Sequence, residues 1–199
     1  LALMLDVGGV GAVGHPDDLA VVAALPRRAI RTIYNPVVTP DLQARVSTPL
    51  DHPWFAPGAP PVLLGVGRLA AQKDFPTLIR AFARVRAHRP VRLMILGEGK
   101  KRRELEELAD SLGVRQDLAL PGFEENPFAY MARAGVFVLS SAYEGLPGVL
   151  IQAMASGCPV VSTDCPSGPM EILEHGSYGP LVPVGDDTAM AEAIQTVLD

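Results

Sequence analysis

The sequence has almost no cysteine: Cys158 and Cys165 are the only two in 199 residues. Two cysteines make neither a disulfide framework nor a four-cysteine zinc site. They flank a segment that reads as a strand, and a reducing cytoplasm is the natural compartment for such a chain. Long apolar runs are missing too. None reaches the ~18 residues that a membrane-spanning helix needs. Any attachment to the inner face of a membrane is therefore expected to be peripheral, through a domain outside this sequence. The opening "LALMLDVGGV" is apolar but has no basic segment ahead of it, which argues against a signal peptide. A basic excess is absent as well. The formal net charge of −5 argues against nucleic acid as the main partner. The four histidines, His15, His52, His88 and His175, are scattered without metal-ligand spacing, so neither a metal nor a cofactor is expected. There is no initiator Met, and "AEAIQTVLD" breaks off in a helical pattern without a C-cap. The chain reads as a piece of a longer one.

What is present is regular. Hydrophobic residues make up 48% of the chain, enough for a globular core. From Pro61 onward, apolar runs alternate with helical patterns. "VLLGV" (62–66), "VRLMILG" (91–97), "DLALPGF" (117–123), "GVFVLSS" (135–141), "CPVVST" (158–163) and "GPLVPVG" (179–185) read as strands. Helices are expected over 74–88, 101–112, 127–133, 147–156, 168–174 and 187–198. In the first, Phe75, Leu78, Ile79, Phe82 and Val85 share one face. The strands are apolar throughout rather than alternating, as burial on both faces requires. The expected fold is therefore α/β, a parallel sheet with helices on both faces, over residues 61–199. Residues 1–60 read as an N-terminal arm or interdomain linker. They carry one predicted helix at 17–24, followed by too many prolines for regular structure.

Ligands of such sheets lie beyond the carboxyl ends of the strands, so the loops there are the candidates. After the first strand, Gly65 and Gly67 permit close backbone approach, and Arg68 and Lys73 precede a helix. Two cations at a helix N-terminus suit a diphosphate; two solvated cations are the alternative. After the second, Gly97 and Gly99 could let a nucleoside approach, whereas Lys100 to Arg103 read as a solvated face. After the third, Phe123 could stack on a base, although an aromatic at a strand end ordinarily joins the core. After the fourth comes "SSAYEGLPG", with Pro147 at a helix start where its missing N–H costs little. The amides of Gly145, Leu146, Gly148 and Val149 would face an anion above the strands. Glu144 would repel phosphate but could accept hydrogen bonds from sugar hydroxyls. After the fifth, Ser167 and Gly168 could offer backbone groups, and the helix dipole alone accounts for Glu171.

In order, "GRLAAQKDFPTLIRAFA", "LGEG", "SSAYEGLPGVLIQAMASGCPVVSTD" and "GPLVPVGD" resemble the C-terminal, donor-binding domain of GT-B glycosyltransferases of the retaining, family 4 type. The likeness runs from Pro61 to Asp199, and residues 15–46 look like the segment leading into that domain. The "GGVG" at 8–11 resembles the glycine loop of the family's N-terminal domain, in a different context. The resemblance implies a Rossmann-like half of a GT-B fold and a nucleotide-diphospho sugar as donor. It also implies an acceptor, such as a polysaccharide or glycolipid, bound by an N-terminal domain that this sequence lacks. It assigns Arg68 and Lys73 to the diphosphate and Glu144, the first acid of an E-x7-E signature, to the donor sugar. The donor-binding set would comprise Gly67, Gly97, Gly99, Gly145, Leu146, Pro147, Gly148, Val149 and Gln152. Gln152 stands where the signature has its second acid, the usual ribose ligand. Two alternatives share this nucleotide site: a GT-B-fold sugar epimerase, and a nucleotide-sugar binding module without catalysis.

Overall fold

The computed structural model describes residues 36–166 and 168–199. The helix expected at 17–24, the glycines at 8–11, His15 and Ser167 lie outside the described residues. Six strands form one sheet: β1 (Val62–Val66), β2 (Arg92–Leu96), β3 (Leu118–Gly122), β4 (Val136–Leu139), β5 (Val160–Thr163) and β6 (Leu181–Val182). Every pairing is parallel, and the spatial order is β3-β2-β1-β4-β5-β6. The helices are α1 (Leu42–Val46), α2 (Phe75–Arg86), α3 (Arg102–Ser111), α4 (Pro127–Met131), α5 (Gly148–Ala155), α6 (Pro169–Ile172) and α7 (Asp187–Leu198). The α/β sheet expected from the sequence is the one observed. No helix among the described residues is long and apolar enough to cross a membrane.

The strands show why they read as continuous apolar runs. Successive side chains point to opposite faces, and both faces are covered. Leu63, Leu93, Ile95, Val136 and Val138 pack with α2, α3 and α7 through Leu78, Phe82, Leu105, Met190 and Ile194. Their neighbours Leu64, Met94, Leu96, Phe137 and Leu139 pack on the other face with Leu42, Phe128, Met131, Leu150 and Ala153. Helix α7 is capped by Asp186, whose carboxylate accepts from the amides of Thr188 (3.1 Å) and Ala189 (2.9 Å). Strand β6 is shorter than its apolar run because Pro180 and Pro183 bracket it and have no N–H for the ladder.

Regular structure does form within the proline-rich stretch, contrary to the sequence reading. Helix α1 buries Leu42, and a 3-10 turn covers Pro53–Phe55. Distant residues hold this segment on the domain. Arg133 donates to the carbonyls of Val46 (3.3 Å) and Thr48 (3.1 Å), and Asn126 donates to that of Arg45 (2.9 Å). The Arg45 guanidinium lies 4.5 Å from the centre of the Phe128 ring. Pro53 opens the 3-10 turn and the other prolines sit outside the short elements, so they interrupt structure without abolishing it.

Candidate functional site

The strand order reverses between β1 and β4. Connections leave the two strands to opposite sides there, which opens a crevice above their carboxyl ends. The loop after β1 and the loop after β4 meet across it. The amide of Ala142 donates to the carbonyl of Gln72 at 2.9 Å, and the Gln72 side-chain amide returns a bond to the Tyr143 carbonyl at 3.0 Å. Ser140 Oγ donates to the Lys73 carbonyl at 2.7 Å. At the centre, Lys73 Nζ lies 2.6 Å from Glu144 Oε1, with the two side chains only 17% and 8% exposed. The Glu144 carboxylate therefore has a cation of its own. Arg68, one loop position beyond Gly67, is exposed and makes no ion pair with any described residue.

The glycines explain how the loops come so close. A Cβ on Gly67 would stand 3.0 Å from Lys73 Cε, so its absence lets the lysine stem lie across the loop. At Gly97 a Cβ would be 2.0 Å from the Gly67 carbonyl oxygen, and at Gly99 2.3 Å from that of Leu69. Close approach is expected at both positions from the sequence. What approaches is the backbone of the neighbouring loop, tied by Gly67 N to Leu96 O (2.9 Å) and Leu69 N to Glu98 O (2.8 Å).

A cavity of about 400 Å³ opens beside Arg68 and is lined by Val66, Gly67, Gly97, Phe123 and Glu124. Phe123 is 78% exposed at this cavity rather than in the core, because Gly122 turns the chain outward at φ +106°. On the other side of Glu144, a second cavity of about 520 Å³ is lined by residues that include Asp164, Cys165, Glu171 and His175. The Glu144 amide donates to the Pro166 carbonyl at 3.4 Å, which ties the loop after β4 to this second cavity.

Three of the four amides expected to face an anion, those of Gly145, Leu146 and Val149, have no acceptor among the described residues. The fourth is a correction: Gly148 N–H donates to the Leu146 carbonyl at 2.8 Å, because the chain turns tightly through Pro147 before α5 begins. Pro147 is buried and stands at the N-cap without a side-chain cap. Gln152 lies one turn into α5, half-buried, and its side-chain amide bonds no described residue. Sequence reasoning missed Gln72, Ser140, Ser141 and Thr163. The signal for the three hydroxyl residues was the change from apolar to small polar residues at the ends of β4 and β5; Gln72, in the loop after β1, had none. Burial pushes the Cys158 thiol up to about 12. Burial, the Thr163 hydroxyl and the nearby Glu144 charge act on Cys165, with a net upward shift led by burial. Both thiols are therefore poor nucleophiles. Among the described residues, no three His, Cys, Asp or Glu side chains gather to hold a metal ion.

The switch point of this parallel α/β sheet thus gathers a paired lysine with an arginine and three amides that have no partner among the described residues. Residues 60–199 match the model of the glycosyl transferases group 1 family, and the chain belongs to that family. It is 39% identical over 137 residues to the N-acetylgalactosamine-N,N'-diacetylbacillosaminyl-diphospho-undecaprenol 4-alpha-N-acetylgalactosaminyltransferase of Campylobacter jejuni, covering 69% of this chain and 37% of the relative. Among solved structures it resembles the lipopolysaccharide outer core galactosyltransferase WaaB in its apo form (TM-score 0.71, 26% identity), over 91% of this chain and 50% of that one. It also resembles HepE of Anabaena in complex with UDP and glucose (TM-score 0.65, 28% identity), over 70% of this chain and 39% of that one. The chain thus spans half or less of the length of each of these proteins.

Proposed function

We propose that this chain is the donor-binding half of a retaining glycosyltransferase that moves a hexosyl group from a nucleotide-diphospho sugar to a polysaccharide or glycolipid acceptor. The observation that carries the reading is the group at the switch point: Lys73 paired with Glu144 beside Arg68, which pairs with no described residue. Cleavage of the donor leaves negative charge on the departing diphosphate. Preorganised cations and amides stabilise such charge best, and Arg68, Lys73 and the amides of Gly145, Leu146 and Val149 supply them. An ammonium has three donors, so Lys73 can hold Glu144 and a phosphate oxygen together. The Glu144 carboxylate then accepts from hydroxyls of the donor sugar. The cavity beside Phe123 takes the nucleoside. No cofactor enters this reading. The HepE complex with UDP and glucose, and the lipid-linked and lipopolysaccharide sugars in the names of the other two relatives, support the donor and acceptor classes. The acceptor binds to a second domain of a longer parent, at the cytoplasmic face of a membrane, and this chain alone binds donor without transferring sugar.

The test is calorimetric titration of the chain with UDP, GDP and ADP, each against its nucleoside. One diphosphate binds in the wild type. Arg68→Ala weakens it by about 1.5–3 kcal/mol, the range for a hydrogen bond to a charged group, and weakens the nucleoside much less. Equal losses for nucleoside and diphosphate, or no diphosphate binding at all, would sink the reading.

Gln152 sharpens it. An amide offers one acceptor and one donor, so it can bond a ribose diol once each way. Charge is lost relative to a carboxylate, and with it repulsion toward the diphosphate and Glu144. Gln152→Glu is expected to tighten ribonucleotide binding by about 1 kcal/mol, and Gln152→Ala to reduce the preference for ribo- over 2′-deoxyribonucleotide. A ribo-to-deoxy ratio unmoved by Gln152→Ala would place this side chain away from the ribose.

A further inference from the structure

Five buried polar residues appear among the described residues: Thr77, Ser140, Ser141, Ser162 and Thr163. Four of them cluster at the carboxyl ends of β4 and β5, directly beneath Glu144. Three of these four hydroxyls bond backbone carbonyls, as buried hydroxyls commonly do: Ser140 to Lys73 (2.7 Å), Ser162 to Thr163 (2.9 Å) and Thr163 to Ser141 (2.7 Å). Ser141 alone bonds a side chain. Its Oγ donates to Glu144 Oε1 at 2.6 Å, the same oxygen that Lys73 Nζ reaches at 2.6 Å. Ser141 is fully buried, and Thr163 fixes its carbonyl, so the hydroxyl stands on a fixed base.

The consequence lies with the other oxygen. Both bonds to the carboxylate use Oε1, and Oε2 has no partner among the described residues. Nor is Oε2 among the buried atoms left without one, a class whose single described member is Asn126 Oδ1. Among the described residues, Oε2 is thus left available to a further donor. A carboxylate held only by a flexible lysine could swing both oxygens onto the cation. The serine, fully buried and bonded to Oε1, opposes that.

We propose that Ser141 is a positioning residue for Glu144: together with Lys73 it occupies Oε1 and presents Oε2 to the donor sugar. The inference rests on the reading of Glu144 as the sugar-binding carboxylate. Ser141 touches neither sugar nor phosphate, so its effect is confined to donors that carry a sugar. The groups proposed to seat the diphosphate, Arg68 and the amides of Gly145, Leu146 and Val149, make no bond to Ser141.

The experiment is titration of the chain with UDP, UDP-glucose, GDP and GDP-mannose in the wild type, Ser141→Ala, Ser141→Cys and Glu144→Ala, with thermal midpoints recorded for each. Alanine removes the hydroxyl, whereas cysteine fills its place with a somewhat larger, weakly donating thiol, so the two together separate the hydrogen bond from packing. For the pair that binds, both Ser141 variants are expected to lose about three- to tenfold affinity for the nucleotide sugar, the effect of one hydrogen bond. Affinity for the bare diphosphate stays within about twofold, since no bond to it is removed. Glu144→Ala loses at least as much of the sugar-dependent part. If Glu144→Ala lowers that part and the Ser141 variants do not, the positioning role is overturned while the donor-site reading stands. The positioning role is overturned in the same way if the Ser141 variants weaken diphosphate and nucleotide sugar equally. If Glu144→Ala itself spares the sugar-dependent part, or the wild type binds no nucleotide sugar, the donor-sugar reading fails and this inference falls with it.

Discussion

Lys73→Ala is expected to destabilise the domain by about 2–3 kcal/mol and to lower turnover of the parent enzyme by roughly 10²–10³-fold. The two losses have different origins. Stability falls because the Glu144 carboxylate, in a position only 8% exposed, loses its counter-ion. Removing one partner of a buried pair typically costs ~3–5 kcal/mol. The lower figure applies here because the lysine side is 17% exposed and water can reach it. Turnover falls because a preorganised cation is missing where the leaving group gathers charge. A second substitution separates the effects. Glu144→Gln removes the orphaned charge but keeps an acceptor for Ser141. In the double variant at least half of the lost stability should return in urea unfolding, and none of the lost turnover. If the double variant is as destabilised as the sum of the singles, the two residues are not coupled, and the 2.6 Å contact contributes nothing to the fold.

That pair also marks how far the sequence could be read. The strands were legible because double-sided burial makes them unbroken apolar runs, and β1 occupies 62–66 as its run suggested. The loops after β1 and β4 were legible as candidates because a parallel sheet places its ligands at strand ends. Lys73 and Glu144 could each be singled out, but they are 71 residues apart, and no local pattern announces that they touch. The same holds for α1. Its anchors, Asn126 and Arg133, follow Arg45 and Thr48 by 81 and 85 residues, while the prolines around it argued locally for no structure. Phe123 shows a different limit. Strand-end aromatics usually turn inward, and only the conformation of Gly122 sends this one out. The buried hydroxyls beneath Glu144 were hidden for a third reason. Ser and Thr in a sequence read as surface, and their burial follows from bonds to carbonyls that only the folded sheet brings within reach.

Gly97→Ala should be the most damaging single methyl group that can be added to this domain, at about 3 kcal/mol or more. The position has φ +141°, which an L side chain rarely adopts. That strain is the smaller part. The new Cβ would lie 2.0 Å from the Gly67 carbonyl oxygen and 2.9 Å from its carbon, and both are backbone atoms with no rotamer to change. Nor can either loop retreat freely. Gly97 N–H is held to the Gly122 carbonyl at 2.6 Å, and Gly67 N–H to that of Leu96 at 2.9 Å. Two residues further on, Leu69 is bonded on both sides, its N–H to Glu98 and its carbonyl to the Lys101 amide at 3.1 Å. To admit one methyl, the loop after β1 must leave the loop after β2, and Arg68 moves with it. Loss of stability and loss of nucleoside diphosphate affinity should therefore appear together. Gly113→Ala is the control. It also has positive φ, +69°, but nothing lies within 4 Å of its added Cβ, so only the left-handed penalty of about 1–2 kcal/mol applies. Its nucleotide affinity should be that of the wild type. Urea midpoints and calorimetry on the two variants decide the matter. If Gly97→Ala unfolds no earlier than Gly113→Ala, the loops are looser than their hydrogen bonds imply, and Gly97 is there for a ligand rather than for the backbone of Gly67.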